Sequence, residues 1–166
     1  NDPKILQEDN RLLGDQLFWT GELVLARKYM EESLALFEAQ PSKLPVLIIG
    51  IDRVVIERVL YSWNLWELGY PEQALKQSRE NLTYAREKSH LFSLAVAFTY
   101  ASVIHQYRRE GQAAQERAEA AMAVCTEQGF SFYLAWATIM WGWATAIQER
   151  TEEGIAQIHQ GLSAYR

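Results

Sequence analysis

Apolar residues recur every three or four positions along almost the whole chain, the spacing of one face of an α-helix. Ile5 to Trp19 carries Leu12, Leu13, Leu17 and Phe18 on one side, and Thr20-Gly21-Glu22 breaks it. Leu23 to Ala39 is a second helix, with Leu23, Ala26, Met30, Leu34 and Phe37 at helical spacing. Gln40-Pro41-Ser42-Lys43-Leu44-Pro45 reads as a loop. A long helix is predicted over Val46 to Leu68, bent at Gly50, and another over Pro71 to Lys88. Leu91 to Arg109 and Gln112 to Gln128 make a third hairpin, broken near Glu110-Gly111. Ser131 to Glu149 and Glu152 to Tyr165 make a fourth, broken near Arg150-Thr151. No segment sustains period-two alternation, so no sheet is expected.

The turn Leu68-Gly69-Tyr70-Pro71-Glu72 shows how these hairpins close. Gly69 can take the positive φ that ends a helix. Pro71 suits the first helical position, where its missing N–H costs nothing. Glu72 falls in the first turn, where the helix dipole favours a negative charge.

The hairpins share a register. Forty residues after Ala74 stands Ala114, and forty after that Gly154; one unit earlier, allowing an insertion at the Pro41–Pro45 loop, stands Ala26. Leu82 aligns with Met122, Leu162 and Leu34, and the residues before them are Asn81, Ala121, Gly161 and Ser33. In the first helices, Ser62 aligns with Ser102, Gly142 and Gly14. Gly69 aligns with Gly21, but with Arg109 and Glu149 in the later units. Small residues at fixed sites let helices approach closely, and the long one fills the space between hairpins. The four units cover approximately 5–40, 46–88, 89–128 and 129–166. The expected fold is all-α, an α-solenoid of antiparallel hairpins forming a single domain over 1–166.

This pattern resembles the tetratricopeptide repeat (TPR), whose small–Leu-Gly–Ala–Ala signature appears as Ser62, Leu68-Gly69 and Ala74, with Asn81 at the last small site. Two features depart from it: the later period is 40 against the family's roughly 34, and the closing proline is missing from every unit. Long TPR-like units resemble those of large bacterial signalling proteins, where they follow STAND-type or AAA-type ATPase modules, sometimes with a cyclase or kinase domain. The run from Phe132-Tyr133-Leu134-Ala135-Trp136 through Glu152–Gln157 is similar to helical regions attached to bacterial class III adenylate or guanylate cyclases. The resemblance implies a bacterial, cytoplasmic interaction module without a cofactor. It also implies that ligands meet the second, fifth, ninth and twelfth positions of each repeat. Those positions are Glu8, Arg11, Asp15 and Phe18; Ile56, Val59, Trp63 and Trp66; Val96, Thr99, Val103 and Gln106; and Trp136, Ile139, Trp143 and Ala146.

Composition narrows the chemistry. The chain has 166 residues, 49% of them hydrophobic, enough for a real core rather than disorder. A net charge of −5 argues against nucleic acid, whose phosphates need a basic face. The uncharged run from Gly129 to Ile147 approaches spanning length, but its Ser, Thr and Gly content and its fit to the register favour a buried helix. The chain starts without Met and ends in mid-pattern, so it reads as a piece of a longer protein. Cys125 is the one cysteine, read as buried and inert. His90, His105 and His159 lack metal spacing, and His105, among apolar neighbours, reads as a packing residue. Neighbouring carboxylates such as Glu31-Glu32 and Glu152-Glu153 point about 100° apart on a helix, as do Arg108 and Arg109, and read as solvated faces.

The aromatics are the main candidates. Trp63, Trp66, Trp136 and Trp143, with Phe18 and Tyr107 at the margins, fall on the first helices of hairpins, away from the small-residue seams. They read either as core or as an aromatic-lined concave groove for a peptide, a helix or a neighbouring domain. Trp141 falls at an inward position and reads as core. The expected function is a non-catalytic protein-binding or effector-binding scaffold. The alternatives are an all-α enzyme or small-molecule sensor domain, and a nucleic-acid-binding repeat, which the acidic balance disfavours. Ile155, Ile158, Leu162 and Tyr165 recur at helical spacing in the last segment, so self-association through that C-terminal edge is expected.

Overall fold

The computed structural model describes residues 2–39, 47, 48 and 50–165; the predicted loop over 40–45 lies outside them. Among the described residues, eight helices follow one another: α1 (Pro3–Trp19), α2 (Leu23–Ala39), α3 (Arg53–Glu67), α4 (Pro71–Lys88), α5 (Leu91–Tyr107), α6 (Gly111–Gln128), α7 (Ser131–Ile147) and α8 (Thr151–Tyr165). The class is all-α, as the periodicity predicts, and most helix ends fall within two residues of their predicted places.

The start of α3 is the exception. The predicted helix from Val46 begins only at Arg53, where the Asp52 carboxylate accepts the Val54 N–H at 2.8 Å and caps the first turn. Gly50, at φ +78°, reverses the chain just before it. Around this reversal β1 (Leu47–Ile48) pairs antiparallel with β2 (Ile51–Asp52), Leu47 opposite Asp52 and Ile48 opposite Ile51. Strands of two residues are too short to register as alternation, so the pattern expected no sheet.

The chain divides into two compact units after Gln77, inside α4. In the first unit, α1 and α2 run antiparallel: Ser33 donates its hydroxyl to the Gln7 carbonyl at 3.1 Å, and Gly14 faces Met30 so closely that a Cβ there would lie 2.8 Å from its Cγ. Ala26, Met30, Leu34 and Phe37 form the buried stripe of α2, and Val55, Val59 and Leu65 that of α3. Each fully buried Met or Leu of this kind contributes about 1.5–3 kcal/mol.

In the second unit α5 is buried almost all round, from Ala95 to Phe98 and from Ala101 to Ile104, because α6 and α7 both pack on it. A helix covered on several sides has no need of a polar face. The same reason accounts for the uncharged α7, which lies against α5, α6 and α8. No helix among the described residues is long and apolar enough to cross a membrane. Along α7 and α8 the contacts run in opposite directions: Gly142 meets Gly154 and Ile158, while Gly161 meets Ile139 and Ala135.

The small sites behave as the register requires. Ala26, Ala74 and Ala114 are wholly buried, as are Ser33, Ala121 and Ser102, and Gly14, Gly142, Gly154 and Gly161 are buried with them. The long sites follow only in part. Leu34 and Leu82 are 6% and 5% exposed, Met122 is half-buried, and Leu162, expected to be buried, is 46% exposed. On α8, Gly161 faces α7, and Leu162, one residue on, points about 100° away from that contact.

The turns repeat one device. The N–H of Glu22, Tyr70 and Glu110 reaches back to the carbonyl of Leu17, Leu65 and His105, closing each first helix with a six-to-one hydrogen bond. The residue before each is in the left-handed region: Gly21, Gly69 and, where glycine is absent, Arg109 at φ +58°. Glu149, aligned with Gly69 in the fourth unit, has φ +69°.

Candidate functional site

The candidate aromatics divide between the two units. In the first, Phe18 stands near the end of α1 and Trp63 and Trp66 on α3. All three are half-buried. Phe18 meets Trp19 edge to face, centroids 5.1 Å apart. A single turn separates the two tryptophans, so they share one side of α3.

The other positions that the resemblance placed on the ligand face of this unit are committed to one another. Arg11, 6% exposed, pairs with Glu8 at 2.6 Å and with Asp15 at 2.7 Å. Arg53 reaches Glu8 at 2.7 Å and the Gln7 side-chain carbonyl at 2.9 Å. The Arg11 hydrogen bond holds the Glu8 carboxyl below its ordinary range, whereas burial lifts that of Asp15. Beneath them Glu57 is wholly buried, and neither carboxylate oxygen has a hydrogen-bond partner. Burial pushes its pKa up to about 7; the nearby Ser33 hydroxyl, Arg11 and Arg53 oppose the shift, and the Asp15 charge adds to it. Glu8, Arg11 and Asp15 therefore form an internal polar network rather than an open binding row.

In the second unit, Trp136 and Trp143 lie two turns apart on α7, both half-buried. Trp136 sits against Tyr100 of α5, edge to face at 4.9 Å, and lies parallel to Tyr133 at 6.3 Å with planes 7° apart. It belongs to an aromatic seam that continues through Phe132 to Tyr165. Trp143 is more open. With Ile147, Gln106 and Arg109 it lines a cavity of about 570 Å³ between the ends of α5 and α7. Tyr107, on the same helix end, is 37% exposed. Ile139 and Ala146, placed on the ligand face with these tryptophans, pack instead against the glycines of α8.

Two expectations change here. Trp141 is half-buried rather than core: its indole N–H donates to Glu119 of α6 at 2.9 Å, and that hydrogen bond holds the Glu119 carboxyl below its ordinary range. Arg108 and Arg109 separate because α5 ends at Tyr107 and Arg109 takes a left-handed φ of +58°. Arg108 pairs with Glu110 at 2.8 Å, while Arg109 turns to the Trp143 cavity. Sequence reasoning left Arg109 as a solvated charge; its alignment with a turn glycine was the signal that it closes the α5 end.

His105 and Cys125 are both buried. The Nδ1 of His105 meets the Glu110 carboxylate at 2.7 Å. Burial pushes the Cys125 thiol pKa up to about 11. Among the described residues no group of three or more His, Cys, Asp or Glu could hold a metal ion.

No family model matches the sequence, and no curated protein matches it at significant strength. Solved structures do match in three dimensions. BtubC (BKLC) from P. vanneervenii superposes over 99% of the chain with a TM-score of 0.82 at 16% identity. A Rap protein, crystallised in complex with competence and sporulation factor, superposes over 95% with a TM-score of 0.76 at 14% identity. The chain spans 65% of the length of the first and 43% of the second. Identities this low speak for the fold alone, and the fold is that of a TPR-like helical repeat.

Proposed function

We propose that the chain is a non-catalytic binding module. It holds a peptide, an amphipathic helix or the surface of a neighbouring domain against its exposed aromatic side chains, within a bacterial signalling protein of the STAND-linked or cyclase-linked kind. The observation that carries the reading is the Trp143 cavity. A half-buried indole beside Ile147 offers apolar area, and Gln106 and Arg109 at the rim offer donors that orient a carbonyl or carboxylate. Rigid amphipathic rings in partly formed pockets are what binding hot spots are made of. Trp63 and Trp66 present a similar half-buried pair on α3 of the first unit. The Rap protein supports the reading by analogy, since that similar fold was crystallised with a factor bound.

Peptides selected from a displayed random library on the intact chain provide the probe. Selected sequences are expected to carry apolar anchors at i, i+3 or i+4, and i+7. Trp143→Ala should weaken their binding by roughly 30-fold, about 2 kcal/mol, while the melting temperature falls only slightly. Equal binding by wild type and Trp143→Ala would overturn the reading. So would extensive unfolding of that variant, since a loss of roughly 3–5 kcal/mol marks a core residue.

A further inference from the structure

A second cavity, of about 300 Å³, lies in the furrow between α4 and α6 in the second unit. Arg79, Thr83 and Arg86 line it from one face of α4, at i, i+4 and i+7, and Arg117 lines it from α6. Buried Ser78 and His105 complete the polar lining, with Leu82 and Ala113 between. Three arginines thus line one furrow in a chain whose net charge is −5, and among the described residues no carboxylate lines it.

Most of the other described arginines differ. Arg11, Arg27, Arg53, Arg58, Arg108 and Arg150 are each held by a carboxylate within 3.0 Å, and Arg109 lines the Trp143 cavity instead. Among the described residues Arg79 and Arg117 form no such pair, and Arg86 rests over the Phe98 ring at 5.3 Å. The Ser78 hydroxyl, in a residue 7% exposed, makes no side-chain hydrogen bond among the described residues. His105 Nδ1 donates to the Glu110 carboxylate, which leaves Nε2 as an acceptor in the neutral ring.

We propose that this furrow binds a phosphate group. Like charges gathered without a counter-charge cost free energy that an anion would recover. Guanidinium forks match the paired oxygens of a phosphate better than any other side chain does. The Ser78 hydroxyl at the floor can donate to a phosphate oxygen, and Nε2 of His105, an acceptor in the neutral ring, can take the proton-bearing oxygen of a monoanionic phosphate. The volume admits the phosphate and the first atoms of whatever carries it, so the group can arrive as the free ion or as a monoester. The site lies on the second helices of the hairpins and does not share side chains with the Trp143 cavity.

The test is titration of the whole 166-residue chain with inorganic phosphate, with O-phosphoserine and with serine, followed by calorimetry and by the arginine Nε–Hε NMR signals. Inorganic phosphate should bind and move the signals of Arg79 and Arg117, and serine should do neither. O-phosphoserine binding more tightly than inorganic phosphate identifies a monoester site; the reverse order identifies a free-ion site. Arg117→Ala and Arg79→Ala should each weaken binding tenfold or more. Arg150→Ala, which removes a charge already paired with Glu153, should leave it unchanged. The proposal falls if wild type does not bind phosphate, or if the three variants lose affinity equally, which would mean that net charge alone is being read.

Discussion

Glu57 is the side chain whose environment departs furthest from its chemistry. It carries a carboxylate into a wholly buried position on α3, where the nearest hydroxyl, that of Ser33, is already donated to the Gln7 carbonyl. Facing it are Arg11 and Asp15 from α1, Ser33 from α2 and Arg53 from its own helix. A folded-state pKa of about 7 against an ordinary 4.5 means that the native protein holds a proton which the unfolded chain gives up. Stability should therefore fall as pH rises from about 4.5 to about 7, by roughly 3 kcal/mol in all, and level off above. Glu57→Gln removes the titration, so its melting temperature should exceed that of wild type at pH 8, with the gap closing towards pH 4.5. Parallel melting profiles for the two proteins would show that Glu57 is solvated or paired after all. Backbone strain is also local: Arg109 and Glu149 hold positive φ where the earlier repeats use glycine, at a cost of about 1–2 kcal/mol each.

Between elements, α7 and α8 cross with their backbones in close contact. A Cβ on Gly142 would lie 2.7 Å from the Gly154 carbonyl oxygen, and one on Gly154 would collide with the Gly142 carbonyl and Ala146. In an exposed helix, glycine to alanine gains up to about 1 kcal/mol from propensity. Here the obstacle is backbone, which cannot swing aside. Gly154→Ala should destabilise by about 1–3 kcal/mol, read from chemical denaturation, and a stabilised variant would disprove so close a crossing. The aligned sites in the other units hold alanine, at Ala26, Ala74 and Ala114. The register thus announced that a small residue was needed, and the geometry shows why this crossing takes none larger than glycine.

At the scale of the molecule, the apolar surface is unevenly covered. Leu34 and Leu82 are buried, whereas the aligned Leu162 is 46% exposed; Ile155 is 46% and Tyr165 47% exposed, and the Phe132 ring lies 4.8 Å from that of Tyr165, tilted by 39°. We infer that this face of α8 associates with another apolar surface, and in the isolated chain a second copy is the one available. Light scattering should show the mean mass rising with concentration, and Leu162→Glu should hold the chain monomeric without lowering its melting temperature. A wild-type chain that stays monomeric at millimolar concentration would count against the inference.

The helices, most of their ends, and the pairing of α1 with α2, α5 with α6 and α7 with α8 were legible in the sequence because they depend on local chemistry: a period near 3.6, proline at a first turn, and residues at turn positions that accept positive φ. The same register marked the small sites that prove to be buried contacts. Periodicity does not say how many neighbours a helix has. It therefore could not tell that Trp136 would be enclosed by Tyr100 and Tyr133, that Trp141 would lean out to Glu119, or that Leu162 would be left uncovered. Nor could it show that Arg79, Arg86 and Arg117, up to 38 positions apart, line one furrow without a counter-charge. Those outcomes depend on which surfaces meet across the sequence, and only the packed structure decides that.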